Sequence, residues 1–191
     1  QLELRLAELT TNPQDPPSEQ LQPITDLFIR GQFQQALSHT TEMLERFPSS
    51  AFLYNISGAS NAGLMQFDAA ISSYKQALRI NPNYVEVYSN MGVALKDKGD
   101  LDAAIDSCKK ALKIKPDYAE AYYNLGNTLN EKGDLDAAID SYKQALKIKP
   151  EYAEAYNNMG VSLKKLKGDP ESAINSYIRA LKIKPDYAEA Y

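Results

Sequence analysis

One cysteine, one histidine and no tryptophan occur in the 191 residues of this chain. Cys108 standing alone excludes an intramolecular disulfide and a cysteine-based metal site, and it favours a reducing compartment such as the cytoplasm, or indifference to redox state. His39 standing alone leaves no histidine cluster, and no nucleophile–base pair can be assembled from the side chains that remain. No glycine-rich nucleotide loop is present, so the sequence reads as non-enzymatic, with neither metal nor cofactor. No apolar run approaches the roughly 20 residues needed to cross a bilayer. Residues 1–22 scatter charges without the apolar centre of a signal peptide. Neither sign of charge dominates: 25 acidic side chains face 21 basic ones for a net −4. That balance argues against a nucleic-acid-binding surface and against an acidic tail.

Punctuation at a fixed interval is what the sequence does have. Pro48, Pro82, Pro116 and Pro150 are spaced by 34 residues and Pro185 follows after 35. Self-similarity at such a period signals a repeat architecture. Beside the prolines stand near-copies: Asn83-Tyr84-Val85-Glu86, Asp117-Tyr118-Ala119-Glu120, Glu151-Tyr152-Ala153-Glu154 and Asp186-Tyr187-Ala188-Glu189. In this pattern Asp117 is expected to cap a helix, with Glu120 reaching back to it, while Pro116 ends the preceding helix. A second break falls inside each period at Gly99-Asp100, Gly133-Asp134 and Gly168-Asp169-Pro170. Glycine suits a left-handed C-terminal cap, and the aspartate starts the next helix. Two helices per period follow.

Apolar spacing confirms the helix type. Tyr122, Leu125, Gly126 and Leu129 form one stripe, repeated by Tyr88, Met91, Gly92 and Leu95 and by Tyr156, Met159, Gly160 and Leu163. Ala138, Ile139, Tyr142, Ala145 and Leu146 form the stripe of the second helix. Glycine inside a helix costs up to about 1 kcal/mol against alanine. Its recurrence at Gly58, Gly92, Gly126 and Gly160 therefore implies close helix approach, with Ala70, Ala104, Ala138 and Ala173 as the expected small partner surface.

The run Tyr122-x-x-Leu125-Gly126, then Ala138-x-x-x-Tyr142, then Pro150 resembles the consensus-like tetratricopeptide repeat, with tyrosine where tryptophan and phenylalanine are usual. The resemblance covers about residues 18–191. It implies an all-α, right-handed superhelical solenoid of tandem helical hairpins, first helices lining the concave face. The expected division is an N-terminal helical segment and proline-rich linker at 1–17, a degenerate hairpin at 18–50, and repeats at 51–84, 85–118, 119–152 and 153–187. The last of these carries one inserted residue, and 188–191 starts a truncated further repeat. Around the insertion a lengthened turn is expected, with Leu166 filling the apolar site vacated at Pro170.

Candidate binding residues lie opposite the apolar stripes. Asn90, Asn124 and Asn158 share one column, whose amides suit the backbone of an extended peptide. A similar ladder occurs in the repeat arm of O-GlcNAc transferase, although asparagine is also common at this column in consensus-like repeats. Asn127 and Asn157 lie on the same side. Tyr123 alone of 13 tyrosines stands outside three recurring columns that hold the other 12. It reads either as an exposed binding anchor or as a ring lying over a neighbouring helix. Asn127 and Asn158 also match the asparagine columns of repeats that clamp chaperone C-termini. The cationic columns of that clamp are here Ser89, Tyr123 and Asn157, and Glu154 and Glu189, which disfavours carboxylate capture.

Lys113, Lys115, Lys147, Lys149, Lys182 and Lys184 read as a solvated rim, Cys108 as a buried inert thiol in a tyrosine column, and His39 as a surface residue. Three functions follow from the resemblance: a scaffold binding a peptide segment or partner helix, the substrate-recruiting arm of a glycosyltransferase or sulfotransferase, and self-association through an uncapped C-terminal repeat.

Overall fold

The computed structural model describes residues 14–166 and 170–186. Among these, every regular element is a helix: α1 (Ser18–Ile29), α2 (Phe33–Arg46), α3 (Ala51–Gly63), α4 (Phe67–Ile80), α5 (Val85–Lys98), α6 (Leu101–Ile114), α7 (Ala119–Lys132), α8 (Leu135–Ile148), α9 (Ala153–Lys165) and α10 (Pro170–Ile183). The chain divides into two compact units, Gln1–Lys98 and Gly99–Tyr191. In the first, α1 packs on α2, α2 on α3, α3 on α4 and α4 on α5; in the second, α6 to α10 pack in the same consecutive order. Residues 1–13 of the expected N-terminal segment and linker at 1–17, the Gly168-Asp169 turn and the truncated repeat at 188–191 lie outside the described residues.

The two kinds of turn differ in how they are capped. Gly99 and Gly133 adopt φ of 92° and 89°, the left-handed conformation the sequence leads one to expect. Asp100 and Asp134 then cap α6 and α8, accepting from Ala103 N and Ala137 N. At the tyrosine-proline turns the expectation needs correcting. Tyr118, not Asp117, is the N-cap residue of α7, as Tyr152 is of α9, and neither gives a side-chain cap bond. Asp117 falls one residue too early, within the turn that follows the proline. Pro170 opens α10, where its missing N–H costs nothing. Leu166 does not fill an apolar site; it ends α9 and stays 40% exposed.

Gly58, Gly126 and Gly160 do mark close helix approach, with a tyrosine ring nearest instead of the alanine column. A Cβ built on Gly58 would lie 2.5 Å from the Tyr74 ring, one on Gly126 2.6 Å from Tyr142, and one on Gly160 2.8 Å from Tyr177. Each tyrosine ring of a second helix thus rests in the notch that glycine leaves on the first. The alanines are buried as well, at Ala70, Ala138 and Ala173. Cys108 takes the tyrosine's place in α6, fully buried, clustered with Ile105 and with Leu125 of α7. Burial pushes its thiol up to about 12, which accords with an inert group.

One position breaks the turn pattern. Met65 occupies the place that Gly31, Gly99 and Gly133 hold in other hairpins, with φ of 60° and a side chain 76% exposed. A side chain in this conformation costs roughly 1–2 kcal/mol. Met65→Gly is therefore expected to raise the unfolding free energy by about 1 kcal/mol in urea denaturation. Gly126→Ala is expected to lower it by about 1–3 kcal/mol, the cost of overpacking the Tyr142 ring.

Candidate functional site

The first helices of the hairpins in the second unit carry the off-template residues. Tyr123 and Asn127 lie one turn apart on α7, and Asn157 and Asn158 lie on α9. The 35-residue step from Tyr123 to Asn158 places them across neighbouring first helices. Asn158 Nδ2 donates to Tyr123 Oη at 3.1 Å and to Asn127 Oδ1 at 2.9 Å. Asn127 Oδ1 accepts a second bond, from Tyr142 Oη at 2.8 Å. Asn157 Nδ2 donates to Asn158 Oδ1 at 3.2 Å. Burial raises the Tyr142 hydroxyl far above its ordinary range, so it acts as a neutral donor.

Aromatic contacts complete the cluster. The Tyr123 ring lies 4.9 Å from that of Tyr152 and 6.2 Å from that of Tyr142, both tilted. Lys149 Nζ stands 4.5 Å above the Tyr152 ring and 3.7 Å from Glu120 Oε1. Lys184 meets Glu154 at 3.8 Å. These two rim lysines stay about half exposed, each with an acidic neighbour from the first helix of its own hairpin.

The first unit repeats the same joint with simpler parts. Asn90 on α5 donates to Asn55 Oδ1 on α3 at 3.2 Å, over the same 35-residue step. Asn55 is the counterpart of Tyr123, and it is 2% exposed. Asparagine in the ladder column thus spends its amide on the preceding hairpin in both units.

The candidate residues separate accordingly. Tyr123, Asn124, Asn127 and Asn158 are half-buried on the first helices of the hairpins in the second unit, and Asn90 is half-buried in the first unit. Asn157 is the exception at 4% exposed: its side chain is turned inward, and its Oδ1 is buried without a partner. Of the two readings open for Tyr123, the ring does lie over its neighbours, and it stays half-buried. The repeat pattern marks Asn127 only as off-template: Ala59, Val93 and Val161 hold its column elsewhere, so an amide there is as unusual as Tyr123.

That difference has a counterpart in the first unit. Tyr74 matches Tyr142 in the repeat, and the positions equivalent to Asn127 and Ser162 are there Ala59 and Ala94. Its hydroxyl is fully buried and has no hydrogen-bond partner. Among the described residues no group of three histidine, cysteine or acidic side chains is placed to hold a metal ion, and no helix is long and apolar enough to cross a membrane.

Comparison with known proteins agrees with the geometry. A family model described as a TPR repeat matches residues 66–99, 92–132 and 126–167, and one described as a tetratricopeptide repeat matches 153–187. The crystal structure of MamA is similar at a TM-score of 0.73 and 26% identity, covering 85% of this chain and 94% of that one. YrrB, described as a TPR protein with an unusual peptide-binding site, superposes at 0.68 and 22% identity, covering 100% of this chain and 97% of its own. A thermophilic TPR protein of Thermus thermophilus, TTC0263, gives 0.75 at 22% identity, covering 90% of this chain and 93% of its own. No curated protein sequence matches the chain.

The two tyrosines should respond oppositely to loss of the hydroxyl. Tyr142→Phe removes a made bond and is expected to lower the unfolding free energy by about 1 kcal/mol. Tyr74→Phe removes an unsatisfied buried group and is expected to leave it unchanged or raise it by about 1 kcal/mol. Guanidinium denaturation of the two variants checks the contrast.

Proposed function

The chain belongs to the tetratricopeptide-repeat family, and on that premise we propose that it is a protein-interaction module, holding an extended peptide segment or a partner helix against the first helices of its hairpins. The single observation that carries this reading is the placement of Tyr123 and Asn127. Both depart from the repeat's own template, and they depart together, one turn apart on one helix. Structural stacking does not need them, since the other hairpins join with asparagine or serine at the first position and an aliphatic side chain at the second.

Their chemistry suits a peptide. Asn127 Oδ1 is taken twice by the protein, while its Nδ2 finds no acceptor among the described residues. An amide donor beside a half-exposed ring offers a main-chain carbonyl one bond and its side chain one flat surface. Asn158, with both amide hydrogens already engaged, supports the other two instead of reaching for the ligand. Asn124, Asn90 and Asn157 extend the surface to either side as lesser contributors. Glu120 and Glu154 stand where a carboxylate clamp needs cations, so an internal segment fits this face better than a free C-terminus.

The test is selection of peptides from a random display library on the 191-residue chain. Binding of the selected peptides is expected to weaken tenfold or more in a Tyr123→Ala/Asn127→Ala variant, about what loss of an aromatic anchor costs. It should be unchanged in Lys75→Ala, an exposed position on α4. Selected peptides that bind both variants equally would overturn the assignment.

A further inference from the structure

The last turn of each second helix from α4 onward carries a cation at one recurring place: Arg79, Lys113, Lys147 and Lys182. In α4 and α8 a glutamine precedes it by three residues, and Arg79 Nη2 donates to Gln76 Oε1. In α6 and α10 that acceptor is replaced by a second cation, Lys110 before Lys113 and Arg179 before Lys182. Two like charges three residues apart share one helix face and repel. Neither Arg179 nor Lys182 enters an ion pair among the described residues.

The α10 pair borders a cleft of about 350 Å³. Pro150 and Glu151, in the turn between α8 and α9, line it together with Tyr156 of α9 and Ile183 of α10. Tyr156 is half-buried against the cluster of Ala138, Tyr142, Leu146 and Ala155, so the packing between hairpins holds its ring in place. The cleft is thus walled by one hairpin and the turn that leads into it. A following hairpin does not cover this edge: Gln144, Lys147 and Ile148, the equivalent places on α8, are exposed beside α9 and α10.

We propose that this cleft binds the carboxylate side chain of an acidic peptide segment, with Arg179 and Lys182 as its cations. The guanidinium fork of arginine matches the two oxygens of a carboxylate. An anion bound between the pair removes the repulsion that α10 carries without it. Pro150, Ile183 and the Tyr156 ring offer an apolar floor to the methylene stem of the bound side chain. Glu151 favours a ligand of single charge. Its carboxylate repels a second negative charge and can accept from the main-chain N–H beside the bound side chain. A phosphate dianion fits less well on the same ground.

The test titrates an acetylated, amidated peptide of alternating glutamate and alanine into the isotope-labelled 191-residue chain, read by amide chemical shifts. Saturable shifts are expected at residues 150–156 and 179–183. Arg179→Gln, which supplies the glutamine of α4 and α8, should raise the Kd about tenfold, the loss of one charge-assisted bond. Lys182→Gln should weaken binding in the same direction. Lys109→Gln removes an equal charge from an exposed place on α6 outside the cleft, and should change the Kd less than about twofold. Circular dichroism of each variant separates loss of binding from loss of fold. Shifts that do not saturate, or equal weakening by Arg179→Gln and Lys109→Gln, would overturn the proposal. Equal binding of a glutamine-alanine peptide, or tighter binding of a phosphoserine-alanine peptide, would overturn the choice of a carboxylate. The cleft shares no residue with the Tyr123 face, so the two readings stand or fall separately.

Discussion

Everything in this architecture turns on a ring set into a missing Cβ. Glycine is a poor helix residue, and the chain places one in the middle of first helices where Tyr74, Tyr142 and Tyr177 must come to rest. The entropy lost at glycine is offset by burying most of an aromatic side chain against helix backbone. Because the notch admits the ring in one position only, it fixes how the two helices of a hairpin meet. Stacking of successive hairpins then follows from the isoleucine and leucine stripes on either side.

A tyrosine used this way brings a hydroxyl into the interior, and the two units deal with it differently. Around Tyr142 the hydroxyl is drawn into a network through Asn127, Asn158 and Tyr123. Around Tyr74 the same hydroxyl is buried without a hydrogen-bond partner, and alanine holds the position equivalent to Asn127. The hairpin at 119–152 has therefore been given polar side chains that its packing does not require. Surface chemistry and core packing are joined there, because the amide that receives the buried hydroxyl is also the one that faces outward.

Much of the fold is legible from spacing alone. Helix type, hairpin number and the glycine-aspartate turns follow from periodicity and from the conformational reach of glycine, both local properties. The departures have local causes too. Asp117 looks like a cap because the residue type and the interval to Glu120 fit, but the proline turn shifts the helix start by one residue. Met65 hides a left-handed conformation because hairpin packing sets the backbone there whatever side chain it carries. The site is less legible. That Tyr123, Asn127, Asn157 and Asn158 share a face is readable from helical spacing. Which amide hydrogens are spent and which remain is not, because it depends on distances between helices a whole repeat apart. Asn157 shows the limit: its column is that of Tyr123, yet its side chain is buried.

Cys108 gives the molecule a built-in clock. It is the one thiol of the chain, it is fully buried, and its ionisation is pushed up to about 12. A thiol reagent can reach it only when the packing around α6 opens, and only then does the group regain an ordinary acidity. The pace at which an alkylating probe consumes this single sulfur thus counts openings around α6 in the unmodified protein, with no introduced label.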